Sequence, residues 1–224
     1  MSLNAKAWVA VVALAAVMGL LIFGAAGTIS YWQGWAYLAV FTSASVLMTG
    51  YLMKRDPALL ERRMTGGPTA EKRPTQRLIM WFASIGFIAL IVVPPIEYRL
   101  HGSSLPPSVN LIGDVLVAIG FFLIFFVYRE NTFTSATIEL AENQRVISTG
   151  PYAIVRHPIY SGFIVATLGT AIAHGDVAGL VATALVTICW ASKARLEESF
   201  MIEKFGAEYE DYRRHVKGLI PGVW

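Results

Sequence analysis

Two polar clusters in this chain carry residue types suited to chemistry: Arg156-His157-Pro158, and further along Lys193, Arg195 and the pair Glu197-Glu198. An Arg-His pair beside two carboxylates can bind a charged ligand or exchange a proton with it. Ionisable groups at a membrane boundary are costly and point to use. Pro158 fixes its own φ and suits the first turn of a helix, which holds the Arg156-His157 backbone extended just ahead of that helix. Tyr152 and Tyr160 flank the corner, and Gly150 and Gly162 permit close approach of a ligand or a second backbone. Glu197 and Glu198 point about 100° apart on a helix, so one is expected to face the bundle and the other water. The competing readings are an interfacial anchor for Arg156-His157-Pro158 and surface ion pairs, Lys193 with Glu197 and Arg195 with Glu198, worth roughly a few tenths of a kcal/mol. Spacing alone leaves both open.

The elements that must position these clusters are apolar helices. Of 224 residues, 55% are hydrophobic and 15% charged, too apolar for an ordinary soluble domain and typical of an integral membrane protein. The charges are segregated, and the runs between them approach the ~20 residues that a membrane-crossing helix needs. Trp8 to Ile29 and the stretch up to Met53 form a predicted helical hairpin around Tyr31, Trp32, Trp35 and Tyr37, which read as an interfacial aromatic belt. The first run is read as a retained span rather than a signal peptide, because it is long, has one preceding lysine and joins the second run through a short turn. Between Lys54 and Arg77, the basic residues Lys54, Arg55, Arg62, Arg63, Lys72, Arg73 and Arg77 face only Asp56, Glu61 and Glu71, which marks a cytoplasmic loop. Spans from Leu78 to about Tyr98 and from Leu111 to Tyr128 follow. The polar stretch from Arg129 to His157, with Glu130, Asn131, Glu139, Glu142 and Arg145, then belongs on the cytoplasmic side.

Ile159–Ala173 and Val177–Ser192 are expected to be two short arms around His174-Gly175-Asp176, too short to span independently unless the bilayer thins or they lean on other helices. Beyond Lys193 the apolar residues Leu196, Phe200, Phe205, Tyr209, Tyr212 and Val216 recur at near-helical spacing, interrupted near Gly206. With six basic and six acidic residues, this tail has little net attraction for anionic lipid and is expected to pack over the bundle's cytoplasmic mouth. The expected fold is all-α: a polytopic membrane helical bundle of about six membrane-embedded helices with a C-terminal amphipathic helix. It forms one domain, with four N-terminal spans in residues 1–128 and a cofactor-binding, catalytic part in 129–224. The net charge of +3 comes from the first loop and reads as topology, with no nucleic-acid footprint. The single cysteine, Cys189, excludes a disulfide framework and a Cys-based zinc site.

From Arg145 to Pro221 the chain resembles the isoprenylcysteine carboxyl methyltransferase and phospholipid methyltransferase superfamily of integral membrane enzymes. The resemblance rests on Gly150-Pro151-Tyr152, Arg156-His157-Pro158, Tyr160, Gly162, Gly169-Thr170, Glu197-Glu198, Phe205-Gly206, Tyr209, Tyr212 and Ile220-Pro221, in order. Asn131-Thr132-Phe133-Thr134 and the tail ending Gly222-Val223-Trp224 resemble bacterial members, which implies a bacterial inner membrane and a cytoplasmic-side site. The family implies methyl transfer from S-adenosylmethionine to a lipidic or isoprenoid acceptor. Carried over by position, Tyr152, Arg156, His157, Pro158 and Tyr160 wrap the cofactor, and Glu198 with Glu197 binds its polar groups. The family's basic residue upstream of the Glu pair is Lys193 or Arg195. Arg129, Arg195 and Glu198 are the catalytic candidates.

Methyl transfer from a sulfonium is an in-line displacement, so an enzyme needs alignment and exclusion of water, and no metal. The chain also lacks a Gly-x-Gly-x-x-Gly following a strand, the soluble α/β way of holding such a cofactor. A carboxylate acceptor needs a cationic clamp, for which Arg129 or Arg195 suits; an amine needs a base, Glu198 or His157. The expected partners are the bilayer and a lipophilic substrate, with no nucleic acid. A membrane sterol or isoprenoid reductase binding NADPH at the same corner, and a non-enzymatic lipid sensor, are the alternatives.

Overall fold

The computed structural model describes residues 1–222 apart from Lys72, Ser103, Ser104, 135–143 and 176–177. Lys72, Glu139, Glu142, Asp176, Val177, Val223 and Trp224, named above, lie outside the described residues. The described elements are helices α1 (Leu3–Ala26), α2 (Trp32–Arg55), α3 (Pro57–Met64), α4 (Pro74–His101), α5 (Pro107–Glu130), α6 (Pro158–His174), α7 (Ala178–Phe205) and α8 (Ala207–His215), with a short 3₁₀ turn at Gly150–Ala153. Five of the helices are long and apolar enough to cross a membrane, and α6 is a shorter apolar one. The chain is thus an all-α, multi-pass membrane bundle with a short amphipathic helix near its C-terminus.

The expected pair of short arms is half right. Ile159–Ala173 lies in α6, but the described part of the second run, from Ala178 to Ser192, is only the apolar part of a 28-residue α7 that continues through the charged residues to Phe205. Lys193-Ala194-Arg195-Leu196 contains good helix formers, so the polarity changes there while the backbone does not. Gly206, at φ +53°, is what ends the helix and lets α8 begin. Helix α3 was hidden in the basic loop. Asp56 accepts the Leu59 amide at 2.9 Å and Pro57 occupies the first turn, a start signal that a reading by charge passes over.

The aromatic belt also divides. Trp32 and Trp35 are exposed, but Tyr31 and Tyr37 are fully buried. The cause is the length of α6, whose 17 residues give about 25 Å of rise, short of the ~30 Å hydrocarbon core. Its last carbonyls therefore end inside the bundle and need partners. Tyr31 donates its hydroxyl to the His174 carbonyl at 2.9 Å, and Asn110 Nδ2 donates to the carbonyls of Ile172 (3.3 Å) and Ala173 (3.0 Å). Tyr37 packs edge-on against His174, with centroids 4.5 Å apart.

Helices α5 and α6 meet backbone to backbone. A Cβ on Gly113 would stand 2.2 Å from the Ala173 nitrogen, one on Gly169 2.6 Å from the Val117 nitrogen, and one on Gly120 2.7 Å from the Gly162 carbonyl oxygen. Small residues allow such an approach where the bilayer supplies no hydrophobic drive between helices. The seam fixes the start of α6, and with it His157, beside the end of α5, where Asn131 follows.

Candidate active site

The corner ahead of α6 is held by the C-terminal segment. The Arg156 amide donates to the Lys217 carbonyl at 2.7 Å and the His157 amide to the Gly218 carbonyl at 3.0 Å, and Val155 forms a parallel bridge with Lys217. Ser161 Oγ donates to the Leu219 carbonyl at 2.6 Å. Tyr209 and Tyr212 of α8 are buried, and the Tyr212 hydroxyl donates to the Tyr152 carbonyl at 2.6 Å. The tail packs against protein, as its balanced charge led us to expect.

On this frame the two sequence clusters meet. Glu198 Oε1 accepts Arg156 Nε at 2.8 Å and Nη2 at 2.6 Å, and stands 3.1 Å from His157 Nε2. Its Oε2 is 3.4 Å from Arg213 Nε. Glu197 accepts the Tyr160 hydroxyl and lies 3.6 Å from His157 Nδ1. Both carboxylates therefore turn to the same corner, and neither is given over to water. A 100° arc is narrow enough for His157 to reach both sides of it with its two ring nitrogens. Burial alone would lower the His157 pKa, but the hydrogen bonds that its ring donates to Glu197 and Glu198 outweigh it and raise it above the ordinary 6.5. Burial likewise pushes the Tyr152 hydroxyl up, so it stays protonated while accepting Asn131 Nδ2 at 2.9 Å. Arg156 spends its remaining donors on the carbonyls of Arg213 and Val216.

This network walls a cavity of about 280 Å³ at the charged end of the bundle. Tyr152, Arg156, His157, Tyr160 and Glu197 line it, together with Arg63, Asn131, Arg145, Trp190, Lys193, Phe200 and Tyr209. Glu198 stands behind this wall, and Pro158 is buried at the first position of α6. Arg129 and Arg195 are exposed on α5 and α7, outside the cavity lining. Of the two candidate basic residues upstream of the Glu pair, Lys193 is the one at the cavity. It forms no surface pair with Glu197; it is buried and bonds Glu71 at 2.5 Å, with the Met80 sulfur at 3.5 Å.

A second cavity of about 610 Å³ adjoins the first, and Arg63, Met80, Phe163 and Trp190 line both. Its other walls are mostly apolar side chains of α1 to α7, with the hydroxyls of Ser45, Thr49, Ser84, Thr167 and Thr170 among them, and it reaches the exposed positions Ala10, Leu14 and Ile88 on the apolar outer surface. Sequence reading missed Glu71, Arg63, Phe163 and Trp190. Arg63 and Glu71 were visible only as loop charges, while the stacked Tyr160, Trp190 and Phe163 rings, 5.3 Å and 5.1 Å apart, carry no signal that separates them from core.

Residues 109–208 match the phospholipid methyltransferase family. A probable protein-S-isoprenylcysteine O-methyltransferase of rice (Oryza sativa subsp. indica) is 33% identical over 119 residues, 51% of this chain and 62% of the rice protein. The protein-S-isoprenylcysteine O-methyltransferase of Schizosaccharomyces pombe is 35% identical over 77 residues, 34% of this chain and 33% of the yeast protein. Methanethiol S-methyltransferase 2 of Bradyrhizobium diazoefficiens is 41% identical over 74 residues, 33% of this chain and 27% of the bacterial protein. The chain thus spans less than two thirds of the length of these relatives.

Proposed function

We propose that this chain, a member of the isoprenylcysteine carboxyl methyltransferase and phospholipid methyltransferase superfamily through residues 109–208, is a membrane methyltransferase that uses S-adenosylmethionine and takes a lipidic acceptor from the bilayer. The observation that carries the reading is the junction of a polar cavity, walled by the Arg156-His157-Glu197-Glu198 network, with a larger apolar cavity that reaches the lipid surface. The polar cavity suits the donor's chemistry. Glu197 offers a carboxylate to its cationic and hydroxyl groups, Arg145 a cation to its carboxylate, and the rings of Tyr152, Tyr160, Trp190 and Phe200 offer faces for a purine and a sulfonium.

When bound, the donor supplies an electrophilic methyl group. The protein's part is to hold and to dry. His157 clamps both carboxylates, Tyr160 fixes Glu197 from α6, and the Lys217–Leu219 strap closes the corner from solvent. Glu198 acts through its partners and orients Arg156 and His157. The basic stretch between Lys54 and Arg77 favours the cytoplasmic face for this end of the bundle, and a bacterial inner membrane is the compartment the tail suggests.

The test is calorimetric titration of the purified protein in lipid nanodiscs with S-adenosylhomocysteine, with NADPH in parallel. Saturable binding of S-adenosylhomocysteine alone is expected. Binding of NADPH alone overturns the reading in favour of a reductase, and binding of neither leaves a lipid-binding protein of this fold.

A further inference from the structure

Asp114 lies two turns inside α5, a helix of membrane length, and beyond the first turn in which a helix dipole steadies an anion. It is 5% exposed, and among the described residues neither a hydrogen-bond donor nor a cation meets it. An ionisable side chain at that depth is costly unless a partner neutralises it, and it points to use. Asn110, one turn earlier on the same face of α5, is fully buried. Its Nδ2 goes to the carbonyls of Ile172 and Ala173, and its Oδ1 has no donor. His174, buried at the end of α6, donates Nδ1–H to the Thr170 carbonyl at 2.9 Å, which leaves Nε2 of the neutral ring with a lone pair and again no donor.

Tyr37 of α2 joins these helices at one point. Its ring stands edge-on to His174, its hydroxyl lies 3.4 Å from Thr170 Oγ1, and the charge of Asp114 acts on that hydroxyl. Val117, on the same face of α5 as Asp114, packs in one cluster with Tyr37 and Ala173. The last carbonyls of α6 add the negative end of a helix dipole. Buried acceptors without donors thus gather where α2, α5 and α6 meet.

We propose that Asp114 Oδ1, Asn110 Oδ1 and His174 Nε2 bind one monovalent cation of sodium's size at this junction. A proton on Asp114 would give a donor to one of the other two acceptors and leave the last unmet, whereas a cation meets all three. The single carboxylate neutralises one positive charge, and a divalent ion would strand its second charge in a medium of low dielectric. None of the three atoms is open to a water molecule, so the ion is a small one, held without its hydration shell. The site stands at the opposite end of α6 from His157, about 25 Å away by the rise of the helix, and does not rest on the methyl-transfer reading. Thr170 and Val117 flank it and also line the larger cavity, so the ion would fasten the far end of that cavity.

The test is scintillation proximity binding of radiolabelled sodium to the full chain in nanodiscs of zwitterionic lipid, with choline chloride keeping the ionic strength constant. Asp114→Asn keeps the shape of the side chain and removes its charge. Glu97→Gln is the control, because Glu97 is an exposed carboxylate at the same end of the bundle, paired with His101. The parent should bind about one ion per chain, Asp114→Asn should bind at least about tenfold more weakly, and Glu97→Gln should stay within about twofold of the parent. Thermal scans of the parent give a second readout that needs no variant. Its midpoint should rise as sodium replaces choline, because an ion that binds only the folded chain stabilises it, while the midpoint of Asp114→Asn should stay where it is. The proposal is overturned by a parent that shows no saturable binding or no shift of its midpoint, by an Asp114→Asn variant that binds like the parent, or by an equal loss of binding in both variants.

Discussion

Replacing Glu198 with glutamine removes the negative charge at the centre of the ion network while keeping the shape of the side chain. Arg156, with a side chain 8% exposed, then keeps its positive charge with little water to screen it, and His157, 7% exposed, loses one of the two carboxylates that raise its pKa. Breaking a buried pair by removing one partner costs about 3–5 kcal/mol, because the survivor is left uncompensated. Arg156 keeps the carbonyls of Arg213 and Val216, and His157 keeps Glu197, which holds the loss near the lower bound, about 3 kcal/mol. At about 2–4 °C per kcal/mol for a chain of this size, the thermal midpoint in nanodiscs should fall by roughly 6–12 °C. Adding Arg156→Met takes away the stranded cation. The double variant should then melt above Glu198→Gln, with a coupling of about 1–3 kcal/mol in the double-mutant cycle. Differential scanning fluorimetry of the four proteins at neutral pH reads this directly. A single variant that melts within about 2 °C of the parent, or a double variant no better than the single, would refute the idea that Glu198 is the hub of a buried network.

Three further outcomes follow from the same geometry. A histidine that holds its proton more tightly when folded stabilises fully below its ordinary pKa of 6.5 and loses that contribution as pH rises through its raised folded value. The melting midpoint should therefore decline on the alkaline side of 6.5, and His157→Gln should flatten that limb; a parallel decline in both proteins would assign it elsewhere. Gly113→Ala places a Cβ 2.2 Å from the Ala173 nitrogen and should cost about 1–3 kcal/mol, whereas Gly50→Ala meets nothing within 4 Å and should be neutral or stabilise α2 by up to about 1 kcal/mol. Equal midpoints would deny the α5–α6 backbone seam. Lys193→Met strands Glu71, whose side chain is 2% exposed, and should destabilise by about 3 kcal/mol, with recovery when Glu71→Gln is added; a melt unchanged by Lys193→Met would remove that ion pair from the fold's energetics.

The corner ahead of α6 was legible because local rules marked it. Pro158 starts a helix, Gly206 stops one, and apolar runs of membrane length fix which ends of α6 and α7 lie together. What stayed hidden depends on pairing across the bundle, which leaves no period in the chain. Lys193 reads equally well as a surface partner of Glu197, one turn away, and as a buried partner of Glu71, 122 positions earlier; only the packing of α4 against α7 decides. Arg63 and Arg129 are both arginines beside an apolar run, and sequence favoured Arg129 because it ends a span. The short α3, capped by Asp56, is what carries Arg63 to the wall that the two cavities share, while Arg129 lies exposed at the end of α5.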